Sequence, residues 1–413
     1  MSTTPLDTHR QANATSAQLA EVLTTIAERG VEFVYFQAIT ITGRVVGKVA
    51  PAKHFERLAV KGVQQHQTAV ANLQGTRAGV LLAGGVNAPE YTAVPDLETF
   101  AVLPWDTSFA RVFCRLYEPD HLTEGAGAEF ACDTRGLLRR MHAGFTDRTG
   151  LELRTGCEPE MTWRGEGLEA HFRPGSSPAY HIEHLERNRP IVKKVVEYAQ
   201  ALGLDMVEGD YEDEYQVELN FMYDHADLTA DRLVTYRQIC KQVARELGIE
   251  ASFMPKPATG MMGNGCHHNF SLWRDGVNVL ADPDVTELHL TDVGKHALGG
   301  LLSHSAGAML INGSTVTIPT YDVLGRVTRV DDEDGAAQRA GVEHRCRHLA
   351  PQLRVRQRVE RVRAGALQPL RLRSPRPEQR MGELVGLILH AANPTLSTAS
   401  PTHTLDSGSL IRL

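Results

Sequence analysis

The stretch ASFMPKPATGMMGNGCHHNFSLW, residues 251–273, combines a Lys-Pro pair, three glycines and a His pair in one short window. Gly260, Gly263 and Gly265 permit close backbone approach to a bound anion or substrate. His267 is a borderline ligand that a carboxylate-rich magnesium or manganese site accommodates. Alone, a histidine in such a loop is an ordinary surface residue. Two further segments carry acids where a core strand would not want them. GCEPEMTW sets Glu158 and Glu160 two residues apart, so in a strand both point to one face, about 7 Å apart, and each can reach a different divalent cation. The ordinary alternative is a solvated strand face. EGDYEDEYQVELNF adds Glu212, Glu214 and Glu218 at one strand parity, which by itself suits a wet edge strand. A straight strand would separate Glu212 from Glu218 by about 20 Å, so a shared site demands a turn or bulge between them. Acidic strands, a glycine-rich loop and a histidine together point to divalent metals clamping a nucleotide polyphosphate.

These residues need elements to position them. SAQLAEVLTTIAERG places Leu19, Val22, Leu23 and Ile26 on one helical face between a Ser cap and Gly30. VEFVYFQAITITGRVVGKVAP follows as a hairpin broken at Thr42-Gly43, which predicts a small N-terminal sheet domain. HLTEGAGAEF, after Asp120, is expected to be a linker. Helical patterns at 134–149, 188–202, 229–248 and 292–311 alternate with short strands. The resulting division is a disordered tail over 1–15, an N-terminal domain over 16–120, a larger domain over 121–321, and an atypical Arg-rich region over 322–413.

The 413 residues suffice for two or three domains, and 42% hydrophobic content is ordinary for a globular enzyme. No run approaches the roughly 20 apolar residues of a membrane span, and the N-terminus lacks a signal-peptide pattern, so the expected location is the cytoplasm. Six scattered cysteines without a CxxC pair argue against a disulfide framework or a zinc cluster. A formal net charge of −7 gives no reason to expect nucleic acid as a partner. That charge is unevenly placed. Residues 326–380 hold 14 Arg and no Lys against seven Asp and Glu, a local balance of +7, so the remainder carries −14. No aromatic residue follows Tyr321 and no lysine follows Lys295.

FMPKPATGMMGNGCHHNFSLW, the Glu158/Glu160 pair, the QVELNF strand and PDLETFAVLPWD together resemble the glutamine synthetase family, in consistent order over about residues 20–316. GNGCHHN and ITGRVVGKVAPAKH look more like the bacterial branch containing γ-glutamylmethylamide synthetase. The resemblance implies an α+β fold, with a β-grasp-like N-terminal domain and a larger catalytic domain built on an antiparallel sheet, assembled into a homododecamer. It implies an ATP-dependent ligase that phosphorylates the γ-carboxylate of L-glutamate and joins it to an amine, with Mg2+ or Mn2+. It assigns Glu160, Glu212 and Glu218 to the metal beside the attacked carboxylate, Glu158 and His267 to the metal on the ATP phosphates, Gly263 to glutamate and Ser271 to the nucleotide. Asn269 stands where the family often has a second histidine, and Met262 replaces a polar residue common before the loop glycine. Two other classes remain open: a catalytically weak binding or regulatory protein keeping this fold, and an unrelated metal-dependent phosphotransferase.

Two departures carry expectations. Ammonia-using members place an Asp in an N-terminal loop, typically within DGSS, to bind ammonium and take its proton. The comparable region here, GVQQHQTAVANLQG, has no acidic residue, which favours a small primary alkylamine such as methylamine over ammonia. After STVTIP, the arginines, further metal-binding Glu and closing Asn-Pro-Tyr-Leu expected by resemblance are absent, apart from a faint likeness in ANPTLS around Asn393 and Pro394. A sudden rise of Arg, Ala, Val and Pro with loss of Lys and aromatics is what an out-of-frame reading of a GC-rich gene produces; a divergent, solvated basic region is the alternative. So few large apolar residues predict poor packing over 326–380.

Overall fold

The computed structural model describes residues 3–71, 85–121, 124–168, 179–258, 262–285 and 289–312, with short strands at 318–321, 327–331, 337–338 and 411–412. The expected disordered tail is corrected at once, because Pro5–Thr15 form helix α1. The Thr4 hydroxyl accepts from Asp7 N–H at 3.1 Å while the Asp7 carboxylate turns back to Thr4, a capping box, and Pro5 occupies a position where no amide donor is needed. Leu6 is fully buried with Val94 and Tyr117, and Asn13 donates to the carbonyls of Ala59 and Pro95. One leucine and a few side-chain-to-backbone bonds dock this helix, and hydropathy registers neither. Helix α2 (Ala17–Arg29) runs from the Ser16 cap to Gly30 at φ +64°, as its caps predict.

The first sheet comprises β1 (Phe33–Ile39), β2 (Val45–Pro51), β3 (Val63–His66), β4 (Glu90–Pro95), β5 (Ala101–Val102) and β6 (Phe109–Tyr117), with helix α3 (Phe55–Lys61) after β2. Its order is β2-β1-β6-β4-β3, with β5 on β6; β1 and β6 are parallel and the other pairs antiparallel. The β1–β2 hairpin turns at residues 40–44, where Gly43 adopts φ +70°. Alternate residues of β1 and β6, Val34, Phe36, Ala38, Ala110, Val112 and Cys114, enter a core with Phe55 and Ala59 of α3.

The larger sheet comprises β7 (Glu152–Arg164), β8 (Met206–Asp213), β9 (Gln216–Phe221), β10 (Asp224–His225), β11 (Glu250–Ser252), β12 (Cys266–Arg274) and β13 (Val277–Asn278). Its order is β13-β12-β7-β9-β8, all antiparallel, with β10 and β11 also on β7. Around it lie α4 (Thr134–Thr149), α5 (Ile182–Ala201), α6 (Ala226–Leu247) and α7 (Asp292–Asn312). Helix α5 starts six residues before its expected N-terminus and runs through Pro190, because Ile191, Val195 and Tyr198 dock against the sheet whatever the proline does locally. Met161, Trp163, Tyr211, Val217 and Leu219 face α5 and α6, where Tyr236, Ile239 and Val243 close the core. Three short strands, β14 (Ile318–Tyr321), β15 (Val327–Asp331) and β16 (Ala337–Gln338), pair together, and β17 (Ile411–Arg412) pairs with β12. The rest of 322–413 lies outside the described residues, and with it most of the expectation for 326–380. Among the described residues no helix is long and apolar enough to cross a membrane.

A buried ionic network ties the two sheets together. Asp96, inside the PDLETF motif and 4% exposed, accepts from Arg115 Nε of β6 at 2.7 Å and from Arg135 and Arg139 of α4. Arg135 in turn makes two 2.8 Å bonds to Asp231 of α6. Burial alone would raise the Asp96 carboxyl, but Arg135, Arg115 and Arg139 hold it down at about 2. His9 of α1 lies 3.6 Å from Asp96, and burial together with Arg115 pushes its imidazole down to about 4.

Removing one partner of a buried network strands the others, so Asp96→Ala is expected to cost about 3–5 kcal/mol in urea unfolding. The neutral folded His9 refuses a proton that the unfolded chain takes up, so stability falls as pH drops from 6.5 towards about 4. Asp96 adds a further loss as pH falls from 3.8 through about 2. Unfolding curves at stepped pH are expected to flatten between 6.5 and 4 in His9→Gln; an unchanged slope would place the proton uptake elsewhere.

Candidate active site

In an antiparallel ladder, paired residues point to the same face, and the face alternates along each strand. The register of β7 against β12 pairs His267 with Glu158, Asn269 with Gly156 and Ser271 with Arg154. Against β9 it pairs Glu218 with Glu160 and Gln216 with Thr162, and β8 pairs Asp210 with Glu218. All these side chains belong to the face opposite α5 and α6, since the alternate positions Cys157, Met161, Trp163, Val217 and Leu219 are in the helix-covered core. Segments about 50 residues apart thus converge on one polar surface.

The turn demanded between Glu212 and Glu218 is a hairpin at Glu214-Tyr215, where Tyr215 adopts φ +63°. Glu212 sits near the end of β8 at a register shift between Tyr211 and Asp213. Glu214 falls in the turn and is exposed, so the single parity expected for Glu212, Glu214 and Glu218 is broken.

Glu160 and Glu218 are each only 6% exposed. Glu160 Oε2 accepts from Gly265 N–H at 2.7 Å and from Gln216 Nε2 at 2.9 Å, while its Oε1 lies 3.5 Å from His267 Nε2. A Cβ at residue 265 would come within 2.7 Å of Glu160 Oε1, so any larger residue there would have to displace that carboxylate. Glu218 Oε1 accepts from Asn220 Nδ2 at 2.7 Å, and Glu158 Oε1 from Asn269 Nδ2 at 2.6 Å. Burial, with added repulsion from Glu158, Asp210 and Glu212, pushes the Glu218 carboxyl up to about 9. Burial, Glu208 and Glu160 likewise push Asp210 up to about 6.

Among the described residues no three His, Cys, Asp or Glu side chains close into a metal-enclosing group. The donor chemistry still fits a hard divalent cation: five carboxylates and one imidazole share the surface, the carboxylates crowd one another, and Asp210 Oδ1 is buried without a hydrogen-bond partner. Gly263 lies beside this cluster, its carbonyl accepting from Gln216 Nε2 at 2.7 Å. Ser271 stands apart. Four residues along β12 from His267, about 13 Å at strand rise, it is fully buried and accepts from the Trp273 indole N–H at 2.8 Å. Arg154 stacks over Trp273, which stacks on Tyr223. Gly260 lies outside the described residues. Asp210, Gln216 and Asn220 were not singled out from the sequence, although Gln216 and Asn220 stand two residues either side of Glu218, the period of a shared strand face.

Residues 131–318 match the family described as glutamine synthetase, catalytic domain. The glutamine synthetase of Pyrococcus furiosus is 31% identical over 299 residues, covering 71% of this chain and 63% of the relative. The glutamate–methylamine ligase of Methyloversatilis universalis is 30% identical over 308 residues, covering 73% and 66%. A solved GmaS/ADP complex superposes with a TM-score of 0.60 at 27% identity, covering 71% of this chain and 65% of that one. A glutamine synthase homologue at 22% identity shares the fold, with a TM-score of 0.59. The chain therefore spans slightly less than two thirds of the length of these relatives. Residues 131–318 of this chain therefore belong to the glutamine synthetase catalytic-domain family, and its homologues and mixed α/β fold agree with that match.

Proposed function

We propose that the protein is an ATP-dependent ligase that joins the γ-carboxylate of L-glutamate to a small primary alkylamine, methylamine or a close analogue, through γ-glutamyl phosphate, releasing ADP and phosphate. The convergence of Glu158, Glu160, Glu218 and His267 on one sheet face carries this reading. A carboxylate is a poor electrophile, and its phosphorylation supplies a leaving group. Divalent cations bound there, Mg2+ or Mn2+, would offset the repulsion between the glutamate carboxylate and the ATP phosphates. Glu160, Glu218 and Glu212 are proposed to serve the cation beside the attacked carboxylate, and Glu158 with His267 the cation on the phosphates. Gly263 and Ser271 are proposed as contacts for glutamate and nucleotide, and a homododecamer as the working assembly.

The amine preference rests on GVQQHQTAVANLQG, which offers an ammonium ion no carboxylate. Gly62 caps α3, residues 63–71 form β3 and a 3-10 turn, and the remainder lies outside the described residues. The relative acting on methylamine agrees with this preference. A second reading, an impaired member of the family, is favoured by the end of the domain match at residue 318 and the change of composition after Tyr321. The sequence beyond that point contains none of the expected glutamate- and phosphate-binding motifs.

Phosphate release with glutamate, ATP and Mg2+ is expected to vanish in Glu160→Ala while the circular dichroism spectrum is kept; near-normal turnover in that variant removes the central claim. Across an amine panel, kcat/KM for methylamine or ethylamine is expected to exceed that for ammonia, and the reverse order would defeat the alkylamine assignment. Resequencing the gene over the codons for 310–330 tests the second reading: a frame change there, with activity rising on the corrected product, would support it. Robust turnover by the chain as written would refute the impaired reading.

A further inference from the structure

Three carboxylates of the site are each engaged by a neutral carboxamide. Asn269 Nδ2 donates to Glu158 Oε1 at 2.6 Å, Gln216 Nε2 to Glu160 Oε2 at 2.9 Å, and Asn220 Nδ2 to Glu218 Oε1 at 2.7 Å. The register explains how they reach. Asn269 faces Gly156, which has no side chain, so its amide can lean along the sheet face towards Glu158. Gln216 faces the short Thr162 and leans towards Glu160, while Asn220 bonds back to Glu218 on its own strand.

A carboxamide N–H fixes the direction of a carboxylate as a guanidinium or ammonium does, yet it adds no net charge. An Arg or Lys in the same place would orient the carboxylate and also repel an incoming cation. We propose that Asn269, Gln216 and Asn220 are positioning residues that set the orientation of Glu158, Glu160 and Glu218 for divalent cations without neutralising them. This inference rests on the metal reading given above. It gives Asn269 a purpose of its own: a donor that stays neutral at every working pH, beside the carboxylate paired with His267.

The test is Mn2+ titration of the full chain, followed by the electron paramagnetic resonance signal of the free aqua ion, beside thermal unfolding. Asn269→Ala and Asn220→Ala are each expected to weaken Mn2+ binding about tenfold or more, the usual effect of removing a group that orients a metal ligand. Both residues are half-buried, and the melting temperature is expected to stay near that of the wild type. Gln216 also supports Gly263 and Asn264, so its removal would loosen the loop and is a poorer probe. Asn269→Gln, which keeps a neutral donor, is expected to retain most of the binding. Asn269→Lys, which keeps a donor but adds charge, is expected to bind at least as weakly as Asn269→Ala. A purely structural role would lower the melting temperature and leave Mn2+ affinity unmoved. Wild-type affinity in both alanine variants, with Mn2+ bound normally by the parent, overturns the proposal and leaves the metal reading standing; absence of Mn2+ binding by the parent overturns both.

Discussion

The pairing register of β7 with its neighbours β12 and β9 is the constraint on which the other features depend. Side chains alternate faces along a strand, so a slip of one residue would exchange the two faces of the sheet. Cys157, Met161 and Trp163 would then meet solvent, and Glu158 and Glu160 would enter the apolar layer beneath α5 and α6. The core and the site are therefore specified together. Beside Pro159, the Glu160 N–H donates to Gly265 O at 3.1 Å and holds the glycine-rich loop to the strand.

Burial first, and repulsion between neighbouring carboxylates second, push the carboxyls of Glu218 and Asp210 up, so placing these acids together on this face is unfavourable in itself. The fold tolerates it because the opposite face is well packed and because the nearby donors are amides and backbone N–H groups. Helix α6 joins this region to the N-terminal sheet. Its Tyr236, Ile239 and Val243 lie under β7 and β9, while its Asp231 holds Arg135 and through it Asp96. The PDLETF motif thus serves as an anchor between sheets, and the surface bearing Glu160 and Glu218 rests on an element fixed from both sides.

Local chemistry alone determined much of the architecture. Ser16 and Gly30 delimit α2, Thr42-Gly43 marks the first hairpin, and the pattern at 134–149 is α4, because caps, turns and 3.6-residue periodicity act within a few residues. The acids at 158, 160 and 218 and His267 were legible only in combination, since each alone suits an ordinary solvated strand or loop. The composition change after Tyr321 is likewise visible in the chain itself. Only the tertiary structure decided that Glu158 meets His267 and Glu160 meets Glu218, that Asp210 joins them, and that Ser271 is buried under Trp273. Only it showed that residues 5–15 are a docked helix and that three carboxamides face three carboxylates. Such pairings depend on which strands lie side by side and in what register, and the local pattern of any one segment does not contain that information.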